Sequence, residues 1–136
     1  MKVSHYPIVP VQYVVGGGKK PWIITEEMTF ILSNGDEYVV EEGFRFDGTS
    51  SPRFLWSIFP PIDDRIFAVI LHDHMYVNDY LRDVMPDREA KDWIDNEMEI
   101  WSNEYCPREK MNRAMKIGVD LFGWKIFLRK KEVVSE

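Results

Sequence analysis

A histidine and an aspartate are adjacent inside a run of residues that otherwise has the pattern of an apolar helix, Leu71-His72-Asp73-His74-Met75-Tyr76. His72 and Tyr76 are four residues apart and share a helical face, while Asp73 lies about 100° around the helix from His72. Burying an unpaired imidazole or carboxylate is costly, so these groups need partners. We expect His72 and Asp73 to converge on one cleft with Tyr76 in support, and His74 to face solvent.

A second polar segment precedes this helix along the chain. The predicted site loop, residues 43–56, reads GFRFDGTSSPRFLW and is rich in residues that form turns and hydrogen bonds. Asp47 stands before a glycine and can close an Asx turn, while Ser50 adds a hydroxyl and Arg53 a charge. Asp47 is therefore a candidate to orient His72 or to bind a metal ion.

Together the two segments supply an imidazole, two carboxylates and several hydroxyls. These are the components of a His-Asp general base for hydrolysis, or of a hard-cation site beside such a base. The candidate catalytic residues are His72, Asp47, Asp73 and Tyr76, with Ser50 and Arg53 in supporting positions. Asp47 and Asp73 are the candidate metal ligands, and a divalent cation such as calcium suits their oxygen donors. The same residues are also compatible with a buried structural network that joins the loop to the helix.

The elements that position these residues are strands followed by helices. β-prone runs predict strands over about residues 6–46, with Tyr6–Val15 as an edge strand because it contains two prolines. Asn34-Gly35 between alternating apolar runs predicts a hairpin. Apolar residues at three- and four-residue spacing predict helices over about residues 63–80, 86–105 and 107–127. We therefore predict one α+β domain over residues 1–136, with an N-terminal antiparallel β-sheet containing the hairpin and a three-helix C-terminal half.

Charge and composition exclude several classes of protein. The 136 residues carry a net charge of −6, which disfavours a nucleic-acid scaffold coated in basic charge. Residues 47–104, which contain both motifs, hold 13 acidic and 5 basic side chains. The longest uncharged apolar run is far too short for a transmembrane segment. No signal peptide follows Lys2, and the single cysteine, Cys106, forms no internal disulfide, so we expect a reducing compartment.

The two motifs together resemble an uncharacterised family of tailed phages and prophages, the domain of unknown function 1353. The likeness covers about residues 40–124 and rests on Asp47-Gly48-x-Ser50-x-Pro52-Arg53 and His72-Asp73-x-x-Tyr76, and on the closing segment Leu121–Trp124. It implies a phage or prophage origin and brings no established activity. The family pattern typically has Asp directly after Glu-Ala in the second helix, where this chain has Lys91 and then Asp92. Asp92 is kept as a weak site candidate, since a shift of one residue turns a helical side chain by about 100°.

The helix motif is more distantly similar to that of the small bacterial secreted phospholipases A2. That likeness implies that His72 activates water, Asp73 helps to hold calcium and Tyr76 supports the network. The disulfides of those enzymes are absent here, and no glycine-rich calcium loop precedes the helix at the expected place, so we interpret the likeness as convergent.

Two function hypotheses follow for the protein. The first is a phage-encoded hydrolase of envelope lipid, peptidoglycan or another host molecule. The second is a non-enzymatic virion, tail-associated or lysis-linked accessory protein, in which the cluster is structural and the chain forms homo-oligomers or phage structural assemblies. A third, an inhibitor of a host defence protein, has no positive signal in the sequence. In all of these the expected location is the host cytoplasm or the virion.

Overall fold

Six short strands lie within the first 46 residues and form two antiparallel sheets. The computed structural model describes residues 1–47 and 63–122. The strands are β1 (Lys2–Val3), β2 (Val11–Tyr13), β3 (Trp22–Ile24), β4 (Met28–Ile31), β5 (Glu37–Val40) and β6 (Arg45–Phe46). The first sheet has the order β1-β4-β5 and the second the order β2-β3-β6.

The prediction of one N-terminal antiparallel sheet is wrong, because consecutive strands divide between two sheets. β3 and β4 are neighbours in sequence but do not pair, and β4 pairs with β1 and β5. After β5 the chain turns at Gly43, which has a φ of +91°. The backbone on either side of this turn bonds to Ile24, so β6 joins β3 in the second sheet. Alternation of apolar residues identifies strands but not their pairing partners.

The hairpin of β4 and β5 supplies much of the buried sheet face. Asn34 and Gly35 lie in its turn, where Gly35 has a φ of +89° and the Asn34 side chain accepts the Asp36 N–H at 3.0 Å. Burial alternates along both strands, so Phe30 and Tyr38, which pair across the hairpin, both face the core.

Three helices follow, α1 (Ile66–Val77), α2 (Asp87–Tyr105) and α3 (Glu109–Phe122). α1 is shorter at both ends than the predicted 63–80. At its start Asp63 accepts the Arg65 N–H at 2.9 Å, and beyond its end Asp79 has a positive φ of 57°. α2 begins directly after Pro86, which is a common residue at a helix start. Residues 123–127 of the predicted third helix lie outside the described residues.

The first sheet packs on α1 and α2. The ring of Phe30 lies 6.4 Å from that of Phe67 on α1 and 5.3 Å from that of Trp101 on α2. The apolar stripe predicted on α2, which consists of Ala90, Ile94, Met98 and Trp101, is buried. This packing fixes the inner face of α1, where the His-Asp motif lies.

A carboxyl group also ties α2 to the hairpin. Glu97 is 2% exposed and accepts hydrogen bonds from the Ser33 N–H at 2.8 Å, from the Ser33 hydroxyl and from Trp101 Nε1 at 3.0 Å. All three donors are neutral, and together they bond both oxygens of the carboxyl group. The hairpin turn is thereby held at a fixed position on the helix.

Glu97→Gln should destabilise the fold by about 1–2 kcal/mol, because a neutral amide oxygen accepts the Ser33 N–H and the Trp101 Nε1–H less strongly than a carboxylate does, and the Ser33 hydroxyl must reverse to accept from the amide. Urea denaturation monitored by tryptophan fluorescence measures the loss. Glu104→Gln, an exposed change on the same helix, is the matched control and should stay within about 0.5 kcal/mol of the wild type. Equal stabilities of the two variants would contradict this role of Glu97.

Candidate functional site

The centre of the polar cluster is the carboxylate of Asp95 on α2, which is 0% exposed. One of its oxygens accepts the His72 Nε2–H at 2.8 Å and the Tyr76 hydroxyl at 2.7 Å. The other oxygen accepts the Lys91 ammonium at 2.6 Å. His72 and Tyr76 are on α1, so the carboxylate joins the two helices through charge-assisted hydrogen bonds.

These bonds set the charge states of the pair. Burial alone would raise the pKa of Asp95, but hydrogen bonds from His72, Asp120 and Lys91 bring that pKa well below its usual range. Burial opposes the charged form of His72 as well, but its contact with Asp73 and its hydrogen bond to Asp95 outweigh this and raise the pKa of His72 above its usual value. Asp95 is therefore ionised near neutral pH, and the Nε2–H of His72 points at a permanent negative charge.

The Tyr76 hydroxyl donates to the Asp95 carboxylate and does not accept from it. Burial, followed by the charge of Asp95, raises the pKa of Tyr76 above its usual value of 10. The phenol stays protonated throughout the range in which His72 titrates. The two rings are also in contact, with centroids 4.2 Å apart.

Exposure increases stepwise from the buried carboxylate to the surface. The side chains of Asp95, His72 and Asp73 are 0%, 9% and 25% exposed, and Asp47 beyond them is exposed. His72 Nδ1 lies 3.9 Å from an Asp73 oxygen, which is longer than a hydrogen bond. The Nδ1 edge of the imidazole thus faces the carboxylates at the outer side of the cluster.

Asp47 and Asp73 form an interacting pair of carboxyl groups at this outer side. β6 ends directly before Asp47 and places it beside α1. Burial and the neighbouring charge of Asp47 raise the pKa of Asp73 to about 6, although its contact with His72 acts in the opposite direction. Two adjacent carboxylates resist ionising together, so one of them holds a proton in mildly acidic solution.

Helix α3 closes the other side of the cluster. The Lys91 ammonium also donates to the backbone carbonyls of Val119 at 3.1 Å and Asp120 at 3.3 Å. The Asp120 carboxyl interacts with Asp95 and accepts Lys116 at 2.9 Å. Burial and the contact with Asp95 raise the pKa of Asp120. The cluster therefore contains groups from all three helices.

The structure brings four of the sequence-predicted site residues together: Asp47, His72, Asp73 and Tyr76. Ser50 and Arg53 lie outside the described residues. Asp92 is exposed on α2 and turned away from the cluster, while its neighbour Lys91 is 1% exposed inside it.

Sequence reasoning missed Asp95 and treated Lys91 only as a departure from a family pattern. A signal was present, because Lys91, Asp95, Met98 and Ser102 follow each other at four- and three-residue spacing and so share one face of α2. All four are buried. Asp95 directly follows Ile94, a core residue, and therefore lies at the edge of the apolar stripe of α2.

The expectation that His74 faces solvent is wrong, since it is 6% exposed. Its Nε2 donates to Glu41 at 2.6 Å, and its Nδ1 accepts the Tyr38 hydroxyl at 2.6 Å. Partial burial would raise the pKa of Glu41, but hydrogen bonds from its own backbone and from His74 lower that pKa. Glu41 is therefore an ionised acceptor, and His74 Nε2 is the donor. The opposite face of α1 is covered by the hairpin, so a histidine there is structural.

A third histidine forms a weaker arrangement at the surface. His5 contacts the Ser4 hydroxyl at 2.9 Å and Glu26 at 3.0 Å, beside an open groove of about 390 Å³. The Ser4 oxygen already accepts the Thr29 N–H at 3.0 Å, and the Glu26 side chain is 68% exposed. These solvated contacts lack the buried orienting charge that His72 has.

The outer carboxylates have the right chemistry for a hard cation but are too few to enclose one. Asp47 and Asp73 offer oxygen ligands, whereas calcium takes six to eight. Within residues 1–47 and 63–122, no group of three or more His, Cys, Asp or Glu side chains could hold a metal ion.

The fold and the site define an α+β protein with a buried Asp-His pair that opens towards two surface carboxyls. The chain belongs to the family described as protein of unknown function (DUF1353), whose model matches residues 22–115 and so includes every cluster residue except Lys116 and Asp120. No curated protein and no solved structure matches the chain. In the part of the chain that the structure describes, no helix has the length and apolarity needed to cross a bilayer.

Asp73→Asn should stabilise the protein at pH 8 and leave its stability unchanged near pH 4. The folded state holds the Asp73 proton more tightly than the unfolded chain, so this group favours folding in acid and loses that contribution between pH 3.8 and about 6. The difference corresponds to about 3 kcal/mol, which the neutral amide restores at pH 8. Urea denaturation at the two pH values measures it.

Asp92→Asn is the matched control, since it removes an exposed carboxyl that lies outside the cluster. It should change the free energy of unfolding by less than about 0.5 kcal/mol at either pH. A loss of stability in Asp73→Asn at pH 8 would show instead that the ionised carboxylate holds the fold together.

Proposed function

We propose that the protein is a hydrolase in which His72 is the general base and Asp95 orients it. The observation that carries the proposal is the graded exposure of the cluster, from the enclosed Asp95 through His72 to the outer Asp73 and Asp47. A general base needs one nitrogen held by a fixed charge and the other directed at the reacting molecule. His72 has its Nε2–H on Asp95 and its Nδ1 on the outer side.

The protein groups suffice for one cycle of water attack. The neutral His72 carries its lone pair on Nδ1, because Nε2–H is held by the ionised Asp95. Nδ1 takes a proton from water while the water oxygen forms a bond to the substrate carbonyl carbon. The imidazolium then returns this proton to the leaving oxygen as the ester bond breaks, so atoms and charges balance.

Asp95 and Tyr76 contribute by holding the imidazole in place. The buried carboxylate stabilises the positive charge that develops on His72, and the Tyr76 hydroxyl keeps that carboxylate oriented without competing for the proton. Preorganised charges in a site shielded from water act more strongly than the same charges in water. In this proposal Asp73, on the outer side, orients the attacking water.

The expected pH dependence follows from the raised pKa of His72. The protonated imidazolium cannot accept a proton, so kcat/KM should increase with pH until His72 is neutral, above pH 6.5. Asp73 ionises on the same rising limb, at about pH 6. We therefore propose an enzyme with a neutral-to-alkaline optimum.

For the substrate we propose an ester or amide of the bacterial envelope, in lipid or peptidoglycan, and for the source a phage or prophage. The motif likeness to the bacterial phospholipases A2 supports the ester, because that likeness implies that His72 activates water, with Asp73 and Tyr76 in support. We propose the host cytoplasm or the virion as its location. If a divalent cation such as calcium takes part, Asp47 and Asp73 would supply two of its oxygen ligands, and the ion would polarise the carbonyl group of the substrate.

A non-enzymatic accessory role is the second candidate, favoured by the burial of His72, whose side chain is 9% exposed and lies between two carboxyl groups. In that case the cluster would lock α1 to α2 in a virion, tail-associated or lysis-linked protein. The two candidates differ in what the removal of His72 changes: activity in the first, stability in the second.

His72→Gln should lower hydrolysis about 100-fold or more, because the amide can still donate to Asp95 but cannot accept a proton. Assays use short-chain p-nitrophenyl esters, phospholipid vesicles and peptidoglycan sacculi, each with EDTA and with calcium. Activity that persists in EDTA would assign the chemistry to the His-Asp pair alone. Activity restored by calcium would add Asp47 and Asp73 as ligands.

His74→Gln is the matched control, because His74 is equally buried, lies two residues away on the same helix and also has two polar partners. It should lose stability and keep its activity per folded molecule, measured below both melting temperatures. Equal activity in the two variants, or a wild type inactive on all three substrates, would favour the accessory role.

A further inference from the structure

Strand β2 forms one edge of the second sheet, in the order β2-β3-β6, and its inner side bonds to β3. At one end of this pair the Val14 N–H donates to the Pro21 carbonyl at 2.7 Å. At the other end the Thr25 N–H donates to the Pro10 carbonyl at 2.8 Å. Because bonded residues alternate along an antiparallel ladder, Gln12 between them also bonds towards β3.

Val11 and Tyr13 therefore turn their backbone groups to the open side of β2. The Val11 N–H donates to the Val9 carbonyl at 2.9 Å, which leaves the Val11 carbonyl and both backbone groups of Tyr13. Within residues 1–47 and 63–122, these three groups have no hydrogen-bond partner. Pro10 faces β3, so its missing N–H does not interrupt the open side. A free strand edge of this kind is a template for pairing with another strand.

Large apolar side chains beside this edge are exposed to solvent. Val15 is 90% exposed, Ile8 82% and Tyr13 57%, and all three lie in the segment 8–15, which contains β2. The Tyr13 ring packs on Trp22 of β3, with ring centroids 4.8 Å apart, so the sheet holds it in place while more than half of it stays uncovered. Apolar side chains grouped in this way at a surface indicate an interaction site.

We propose that β2 pairs antiparallel with β2 of a second copy of this chain, across a two-fold axis at Gln12. The Tyr13 N–H of each copy donates to the Val11 carbonyl of the other, and the two three-stranded sheets become one sheet of six strands. The axis also brings the Ile8 end of one segment beside the Val15 end of the other. No residue of the His72 cluster takes part, so the dimer is independent of the proposed hydrolysis.

Charges at the two ends of the β2–β3 hairpin favour this direction of pairing. Lys19 and Lys20 lie in the turn between the strands, and Glu26 and Glu27 follow the other end of β3; all four are exposed. An antiparallel pair places the basic end of each copy beside the acidic end of the other, whereas a parallel pair would bring like charges together. Three strand spacings of ~4.8 Å separate the two β3 strands, and long Lys and Glu side chains bring their charges within the screening length.

The corresponding edge of the first sheet does not suit self-pairing. β5 is the outer strand in the order β1-β4-β5. Acidic side chains that are exposed to solvent stand at both of its ends: Asp36, Glu37, Glu41 and Glu42. Two antiparallel β5 strands would therefore bring like charges together, which opposes pairing. The charge pattern thus favours β2 as the edge for a second copy.

The first test compares two substitutions of Tyr13. Tyr13→Pro and Tyr13→Val both remove the phenol ring, but only proline removes the outward N–H, which β3 does not use. Sedimentation velocity of the full chain at about 10–500 µM should show a reversible monomer–dimer equilibrium for the wild type, as expected for a small interface. The dissociation constant of Tyr13→Pro should exceed that of Tyr13→Val at least about tenfold, because each dimer loses two backbone hydrogen bonds.

Charge reversal tests the direction of the strands. Lys19→Glu/Lys20→Glu makes both ends of the hairpin acidic, and Glu26→Lys/Glu27→Lys makes both ends basic. Each double variant alone should be monomeric, and an equimolar mixture of the two should form a heterodimer. The wild-type dimer should weaken in high salt, because these charges are exposed.

The outcomes decide the proposal without reference to hydrolysis. A wild type that is monomeric at about 500 µM would overturn it and leave the edge to a strand of a different protein. A dimer that keeps its affinity in either Tyr13→Pro or the charge variants would overturn it as well, by assigning self-association to another surface or direction. If Tyr13→Pro does not fold, the mixture of charge variants, whose changes are all exposed, decides alone. A dimer of a protein that hydrolyses none of the substrates would support this interface and contradict only the hydrolase.

Discussion

The ionised carboxylate of Asp95, removed completely from water, is the constraint on which the arrangement of the helices depends. An isolated charge at 0% exposure would be strongly destabilising, so its partners on α1 and α2 are obligatory. His72 and Tyr76 bond one oxygen of this carboxylate, and Lys91 bonds the other. Any packing of the helices that separated one of these partners from Asp95 would leave a buried charge uncompensated.

Polar contacts fix helix α1 on two opposite faces. His72 attaches one face to α2 through Asp95, and His74 attaches the other to the hairpin through Tyr38 and Glu41. Two histidines separated by a single residue therefore bind α1 to different elements. The sheet side fixes α1, and the fixed α1 presents the imidazole of His72 to the outer carboxyls with little freedom to rotate. This division explains how a short apolar helix can accommodate three polar side chains in succession.

Local patterns in the sequence were enough to predict the parts that depend on neighbours along the chain. Asn34-Gly35 marks the hairpin turn, and the periodic apolar residues of α2 mark its buried face. The convergence of His72 with Asp73 followed from helical geometry. What could not be predicted depends on contacts between distant segments: the transfer of β6 to the second sheet, the burial of His74 under the hairpin, and the role of Asp95 as the partner of His72, which the sequence analysis assigned to Asp47. Successive side chains on α2 are rotated by about 100° around the helix axis. Only the packing of α2 against α1 decides which of them faces inwards.

The α2 stripe that contains Lys91 and Asp95 has a consequence for how the chain tolerates changes in length. A single inserted or deleted residue between these two positions would rotate Asp95 by about 100° and move it 1.5 Å along the axis, away from both His72 and Lys91. The turn between β4 and β5 is exposed at Asn34–Asp36 and lies far along the chain from these partners. Length variation among family members should therefore occur at that turn and be absent from the middle of α2.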